Sequence, residues 1–289
     1  MANRILSADR EAALISLLDD ASPVVQEALV AELKRLGDVG VSVLRKAIRE
    51  ENDQRVMAAQ RLLTQIEGPD PVAEVVRFIE SLHYELETGM ILLNRAARPE
   101  LDVGVVGRQL DAIAQRCMEL SPQPSTPWER CKVINRVLFH EYGFRANVED
   151  PEDPHNNLIG SVLMRRKGGA LMLSVVYLLV AERCLLDLAP VSLPAHFLVA
   201  HFREGIPFYI DAMERGRFRL PDEVEGMLNK DQPLHPLQVM GPAPVGEVLC
   251  RACRQLVHQY SLRNNPRMAK VFAGFVRTFQ ETYRRHAES

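Results

Sequence analysis

Apolar residues recur at helical spacing from the start of the chain. Ser22-Pro23 places a cap residue and an N1 proline ahead of Val24-Val25-Gln26-Glu27-Ala28-Leu29, and the apolar positions continue through Leu33 and Leu36. Asp53 stands in the same relation to Val56, Ala59 and Leu62-Leu63, and a shorter helix is expected over 37–50 around Val43-Leu44 and Ala47-Ile48. Val56 and Ala59 repeat Val25 and Ala28 at an offset of 31 residues. Residues 1–67 are therefore expected to form HEAT-like helical hairpins, units that bury their apolar sides only against one another.

Gly68-Pro69-Asp70-Pro71 breaks this pattern and marks the first domain boundary. Helices are expected over 72–95, over 102–120 with Asp102 as a cap, and from Ser125-Thr126-Pro127-Trp128 through Phe139-His140. A polar, poorly periodic stretch follows at 148–155. The run 170–181 is apolar on every side apart from Ser174, which predicts a buried core helix. It is shorter than the ~20 residues that a membrane span requires.

After that helix the period changes. Val191-Ser192-Leu193, residues 197–202 and residues 207–211 are short apolar runs, and Arg203-Glu204-Gly205-Ile206 reads as a hairpin turn. Pro233, Pro236, Pro242 and Pro244 mark a linker, and two helices follow at 245–263 and 266–286, parted by Asn264-Asn265. The expected fold class is α+β, mainly helical, with a small antiparallel sheet packed on the central helix and helical hairpins at both ends. The expected domains are 1–67, 68–240 and 241–289.

Composition narrows the function classes. With 289 residues, 47% hydrophobic and 25% charged, the chain suits one to three compact units. A net charge of -3 gives no global basic field, so no nucleic-acid partner is expected. Residues 1–9 lack an apolar h-region, so no signal peptide is expected. Five scattered cysteines do not form a disulfide framework, and the expected compartment is the cytoplasm. Cys250-Arg251-Ala252-Cys253 has no second CxxC or HxxxH partner, which favours small core residues over a metal site. Arg165-Arg166-Lys167 is read either as a solvated face or as an anion site shared with the Gly168-Gly169 amides. No phosphate or dinucleotide fingerprint occurs, so no cofactor is expected.

Several segments taken together are more specific. They are Leu86-Glu87-Thr88-Gly89-Met90, Leu101-Asp102-Val103, Asp153-Pro154-His155-Asn156-Asn157-Leu158, Val162-Leu163-Met164-Arg165-Arg166-Lys167-Gly168, Leu193-Pro194-Ala195-His196-Phe197 and Tyr209-Ile210-Asp211. In this order and spacing the chain resembles the SirB1 family, whose central part is a transglutaminase-like (papain-related) domain. The resemblance implies that residues 241–289 are a truncated tetratricopeptide-like hairpin. It also implies a cysteine nucleophile at a helix head, a histidine base and an orienting aspartate, in slots that fall here on Ala170, His196 and Asp211.

The nucleophile slot is thus an alanine, which cannot attack a carbonyl. The family's Gly-x-Pro, Pro-Gly-His-Phe and Ile-Asp-Pro-Phe also become Gly168-Gly169-Ala170, Pro194-Ala195-His196-Phe197 and Ile210-Asp211-Ala212-Met213. Ser174 lies one turn deeper and reads as a hydroxyl bonded to its own helix. Cys184 lies about 20 Å along the helix at 1.5 Å per residue and cannot substitute. His155, Asn156 and Ser174 remain as candidate binding residues, with an Asx-type turn capping the next helix as the structural reading of the first two. The expected function is a non-catalytic protein-interaction or regulatory module that engages an unidentified protein partner through its helical hairpins, with no membrane association. The alternatives are a cysteine-independent hydrolase, or a peptide or small-molecule binder using a His196–Asp211 cleft. A cleft plugged by Met172 or Met213 would defeat the hydrolase.

Overall fold

The computed structural model describes residues 6–20, 22–49, 52–67, 70–203, 205–228 and 239–287. Gly68 and Pro69 of the expected boundary, Glu204 of the expected hairpin turn, and Pro233 and Pro236 of the expected linker lie outside the described residues. The chain divides into two compact units, 1–74 and 75–289.

The first unit is helical among its described residues. It holds α1 (Ala8–Ser16), α2 (Pro23–Leu36), α3 (Asp38–Ala47) and α4 (Asp53–Glu67). Their apolar stripes meet in one core that includes Ile15, Leu18, Leu29, Leu33, Leu44 and Ala59. The 31-residue match does not carry into equivalent burial, because Ala28 is exposed whereas Ala59 is fully buried.

The division falls within α5 (Pro71–Glu80), and α6 (Leu86–Ala97) follows in the second unit. The single helix expected over 72–95 is broken here. Leu82 adopts a left-handed φ of 58°, and the Glu85 carboxylate caps α6 by accepting from the Glu87 and Thr88 N–H groups at 2.7 and 2.6 Å. No glycine or proline announces that break. α7 (Val103–Leu120) starts at Asp102, as its capping position predicts, and α8 (Pro127–Asn135) opens on a Thr126/Glu129 capping box. A π-helical turn, Arg136–Glu141, extends α8, with the Tyr142 N–H reaching the Val137 carbonyl at 2.8 Å.

β1 (Arg145–Ala146) then pairs in parallel with β2 (Lys167–Gly168). Between them lie a 3-10 turn, Pro154–Asn157, and α9 (Ile159–Arg165). The short pairing brings the polar stretch beside the head of α10 (Ala170–Arg183), whose residues 171–181 are all buried. A helix apolar all round can only be central. Among the described residues no helix is long and apolar enough to cross a membrane.

The antiparallel sheet runs in the order β3 (Ala189–Ser192), β4 (Phe197–His201), β5 (Phe208–Asp211), β6 (Arg217–Arg219). Leu198 and Ala200 of β4 join Tyr209, Val224 and Met240 in one apolar cluster. The period of two sends Phe197, Val199 and His201 to the other face. There the His201 ring stacks on Phe208 at 5.2 Å, and Trp128 stacks on Phe218 at 3.9 Å. Ser174 ties α10 to the sheet by donating to the Phe197 carbonyl at 3.3 Å, so its hydroxyl bonds across to β4 and not to its own helix. After α11 (Pro221–Glu225) come α12 (Val245–Leu262) and α13 (Pro266–Ala287), which pack as a hairpin. α12 approaches α6 so closely that a Cβ on Gly89 would lie 2.6 Å from the Leu249 side chain. The observed architecture is α+β and mainly helical, with a small antiparallel sheet on a central helix.

Candidate functional site at the head of the central helix

The site begins where α10 begins. Gly169 is its N-cap residue and carries no side chain to cap it, so the first-turn N–H groups at Ala170, Leu171 and Met172 lack intrahelical acceptors. The Gly169 N–H donates to the Asn156 carbonyl at 3.0 Å. Ala170 is half-buried and lines a cleft of about 440 Å³, together with Asn157, Met213 and the α12 residues Arg251, Arg254 and His258. α12, far along the sequence, therefore forms one wall of the cleft.

Asn156, outside the cleft lining, organises the loop that leads to it. It is 1% exposed, and its side chain makes four hydrogen bonds. Oδ1 accepts from Asn147 Nδ2 at 2.9 Å and from Arg165 at 2.8 Å; Nδ2 donates to the Asp150 and Pro151 carbonyls at 2.8 and 3.2 Å. The amide is saturated and has no capacity left for a ligand. Asn157 differs: its Nδ2 donates to Gln259 Oε1 at 2.9 Å, while its Oδ1 is sealed and without a partner.

His155 does not line the cleft; its side chain is 42% exposed and its Nδ1 lies 2.8 Å from Asp153 Oδ1. The Asx-type cap is present, but Asp153 makes it by accepting from the His155 N–H at 3.0 Å. Burial alone would raise the Asp153 carboxyl. The hydrogen bonds from Arg165 and from the His155 backbone and ring more than offset it and hold the group below its ordinary 3.8. A depressed carboxyl stabilises the fold while it is ionised. That contribution is complete above about pH 5 and is lost as pH falls through the lowered folded value. An acid titration of wild type against Asp153→Asn should show this, with the stability difference between the two shrinking in acid.

Arg165 thus bonds Asp153 and Asn156, the Arg166 guanidinium lies 5.6 Å above the Tyr142 ring, and Lys167 meets Glu149 at 2.5 Å. All three cations of the basic cluster have partners within the chain.

The three slots do not assemble into a relay. Asp211 is 4% exposed; its Oδ2 takes Arg219 at 3.2 Å and its Oδ1 accepts from the Met213 and Glu214 N–H groups at 3.1 and 3.2 Å. His196 is exposed in the loop before β4, and among the described residues its ring has no hydrogen-bond partner. Its carbonyl accepts from Arg251 at 3.2 Å. Ser174, fully buried, does not reach the cleft. Met172 is buried in the core, and Met213 stands 40% exposed on the cleft wall. Cys250 and Cys253 are buried thiols pushed up by burial. Among the described residues no three His, Cys, Asp or Glu side chains are grouped to hold a metal.

Sequence reasoning missed Asn157, Arg219, Arg251, Arg254 and Gln259. Arg219 sits in a three-residue alternation, Arg217-Phe218-Arg219, too short beside its turn to read as a strand. Nothing local marks Asn157 and Gln259, which pair across 102 residues.

The profile of the transglutaminase-like superfamily matches residues 105–254, just over half of the chain, and the chain belongs to that superfamily. A UPF0162 protein of Xylella fastidiosa (strain 9a5c) is 30% identical over 189 residues, covering 60% of this chain and 64% of that protein. A UPF0162 protein of Pseudomonas aeruginosa is 28% identical over 161 residues, covering 55% and 58%. F-box only protein 21 of Mus musculus is 32% identical over 105 residues, covering 34% of this chain and 17% of that one. The chain spans less than two thirds of the length of these relatives. No solved structure matches.

Proposed function

We propose that this chain is a SirB1-type, non-catalytic transglutaminase-like protein that works by binding a protein partner. The observation that carries the reading is the state of the three slots: a methyl group at Ala170, an exposed His196, and an Asp211 committed to Arg219. A relay needs the base oriented by the acid and in reach of the nucleophile, and each of those links is missing. Binding is supported by the cleft itself. Arg254 lies on its wall with no acceptor among the described residues, and the uncapped head of α10 adds positive potential. The partner is taken to touch this wall. F-box only protein 21, in which the similar stretch is 17% of the whole, fits a domain joined to others.

The test offers the purified chain a glutaminyl peptide with a primary amine, and peptide and ester substrates. Wild type is expected to give no turnover above His196→Ala. In Ala170→Cys the helix head is expected to lower the thiol pKa below ~8.5 and to give stoichiometric alkylation, still without turnover. Turnover that depends on His196 or Asp211 would overturn the non-catalytic reading. Capture from a native extract gives the second readout: a partner retained by wild type and lost with Arg254→Glu is expected, and no retained partner overturns the binding reading.

A further inference from the structure

A second cavity, of about 230 Å³, lies among α6, α7 and α9 and shares no lining residue with the Ala170 cleft. Its walls are apolar: Leu101, Val105, Val106 and Met164. Two buried polar side chains also line it, Asn94 at 1% and Ser161 at 4% exposure. Asn94 Oδ1 is engaged by the Gly160 N–H at 2.9 Å, which leaves its Nδ2 as a donor without an acceptor among the described residues. The Ser161 hydroxyl likewise has no partner among them. Neither atom is among the sealed, unpartnered side-chain atoms, so both remain open to the cavity.

Buried polar groups are ordinarily satisfied, and an open, unpaired donor in an apolar cavity is the mark of a ligand site. We propose that this cavity binds a small neutral molecule with an aliphatic tail and a carbonyl head, an amide or ester of a short acyl chain. The tail packs on Val105, Val106 and Met164. The carbonyl oxygen, with two lone pairs, accepts from Asn94 Nδ2 and Ser161 Oγ. The cations near the mouth are already taken, which disfavours a carboxylate head. Arg98 is paired with Glu100 at 2.8 Å and Arg108 with Asp102 at 3.9 Å, so a buried carboxylate would meet no free cation. A cavity of this size takes a small molecule and not a folded domain. The proposal stands apart from the binding function assigned to the Ala170 cleft.

The experiment uses the full chain labelled at methionine methyl groups, with the Met164 resonance assigned from Met164→Leu. Hexanamide is titrated as the neutral carbonyl probe and hexanoate as its charged counterpart. Hexanamide is expected to shift the Met164 methyl saturably, with hexanoate at least about tenfold weaker. Ser161→Ala should weaken hexanamide about fivefold by removing one hydrogen bond, with its melting temperature read alongside. Val105→Trp, at a position 39% exposed at the mouth, should abolish the shift without touching the buried donors. No saturable shift with hexanamide, equal affinity for hexanoate, or undiminished affinity in both variants overturns the proposal.

Discussion

Replacing Asn156 by alanine is expected to destabilise the larger unit by about 2–3 kcal/mol. The side chain is buried, and its four hydrogen bonds join 147–151 to Arg165 of α9. Deletion leaves a buried void edged by polar groups, and such groups cost roughly 1–3 kcal/mol each when orphaned. The effect does not reach the sum over four bonds, because the partners have other contacts. Asn147 Nδ2 also donates to the Asp150 carbonyl at 2.9 Å, Arg165 keeps Asp153, and Gln259 Nε2 reaches the Pro151 carbonyl at 3.4 Å. Trp128, the single tryptophan, stacks on Phe218 in the same unit, so its fluorescence reports this transition. The melting temperature should fall by about 5–10 °C. Asn156→Asp keeps the two acceptor contacts and loses both donors, so it should fall between the two. An alanine variant within about 0.5 kcal/mol of wild type would show that the loop is held by other means.

Asn156 also shows what the sequence made legible. Its segment carried the family resemblance, yet a ligand contact and a structural keystone have the same residue type there. Only the count of its partners separates them. α2, α3, α4, α7, α8, α12 and α13 were legible from their apolar periods and start signals, and α10 from its unbroken apolar run. The Leu82 break was not, since a left-handed leucine is a tertiary outcome. β6 was missed because three residues beside a turn carry too little period. In the candidate site, the alanine at position 170 could be read directly. The fate of Asp211 could not, because its partner Arg219 depends on the β5–β6 register. The α12 wall of the cleft was hidden for the same reason, since long-range packing leaves no mark on local spacing.

That wall supplies the second large effect, at Arg251. One guanidinium group donates to Ser192 Oγ at 2.8 Å, to the Leu193 carbonyl at 2.5 Å and to the His196 carbonyl at 3.2 Å, and it lies 5.5 Å above the Phe197 ring. Burial pushes its pKa down, yet the group stays charged, because an arginine remains protonated far above neutrality. Arg251 therefore pins the loop 193–196, and with it the backbone of His196, to α12. Arg251→Ala should cost about 2–3 kcal/mol and release that loop before the rest of the unit. Amide exchange over 192–198 should quicken by about a hundredfold, which corresponds to roughly 2.7 kcal/mol of local stability. Arg251→Lys should recover less than half, because a single ammonium group lacks the planar fork that meets separated acceptors and lies over a ring. If lysine restores protection fully, the loop is held by charge alone. If alanine leaves exchange unchanged, His196 is exposed for reasons of its own chain, and the α12 wall does not control the position of the former base.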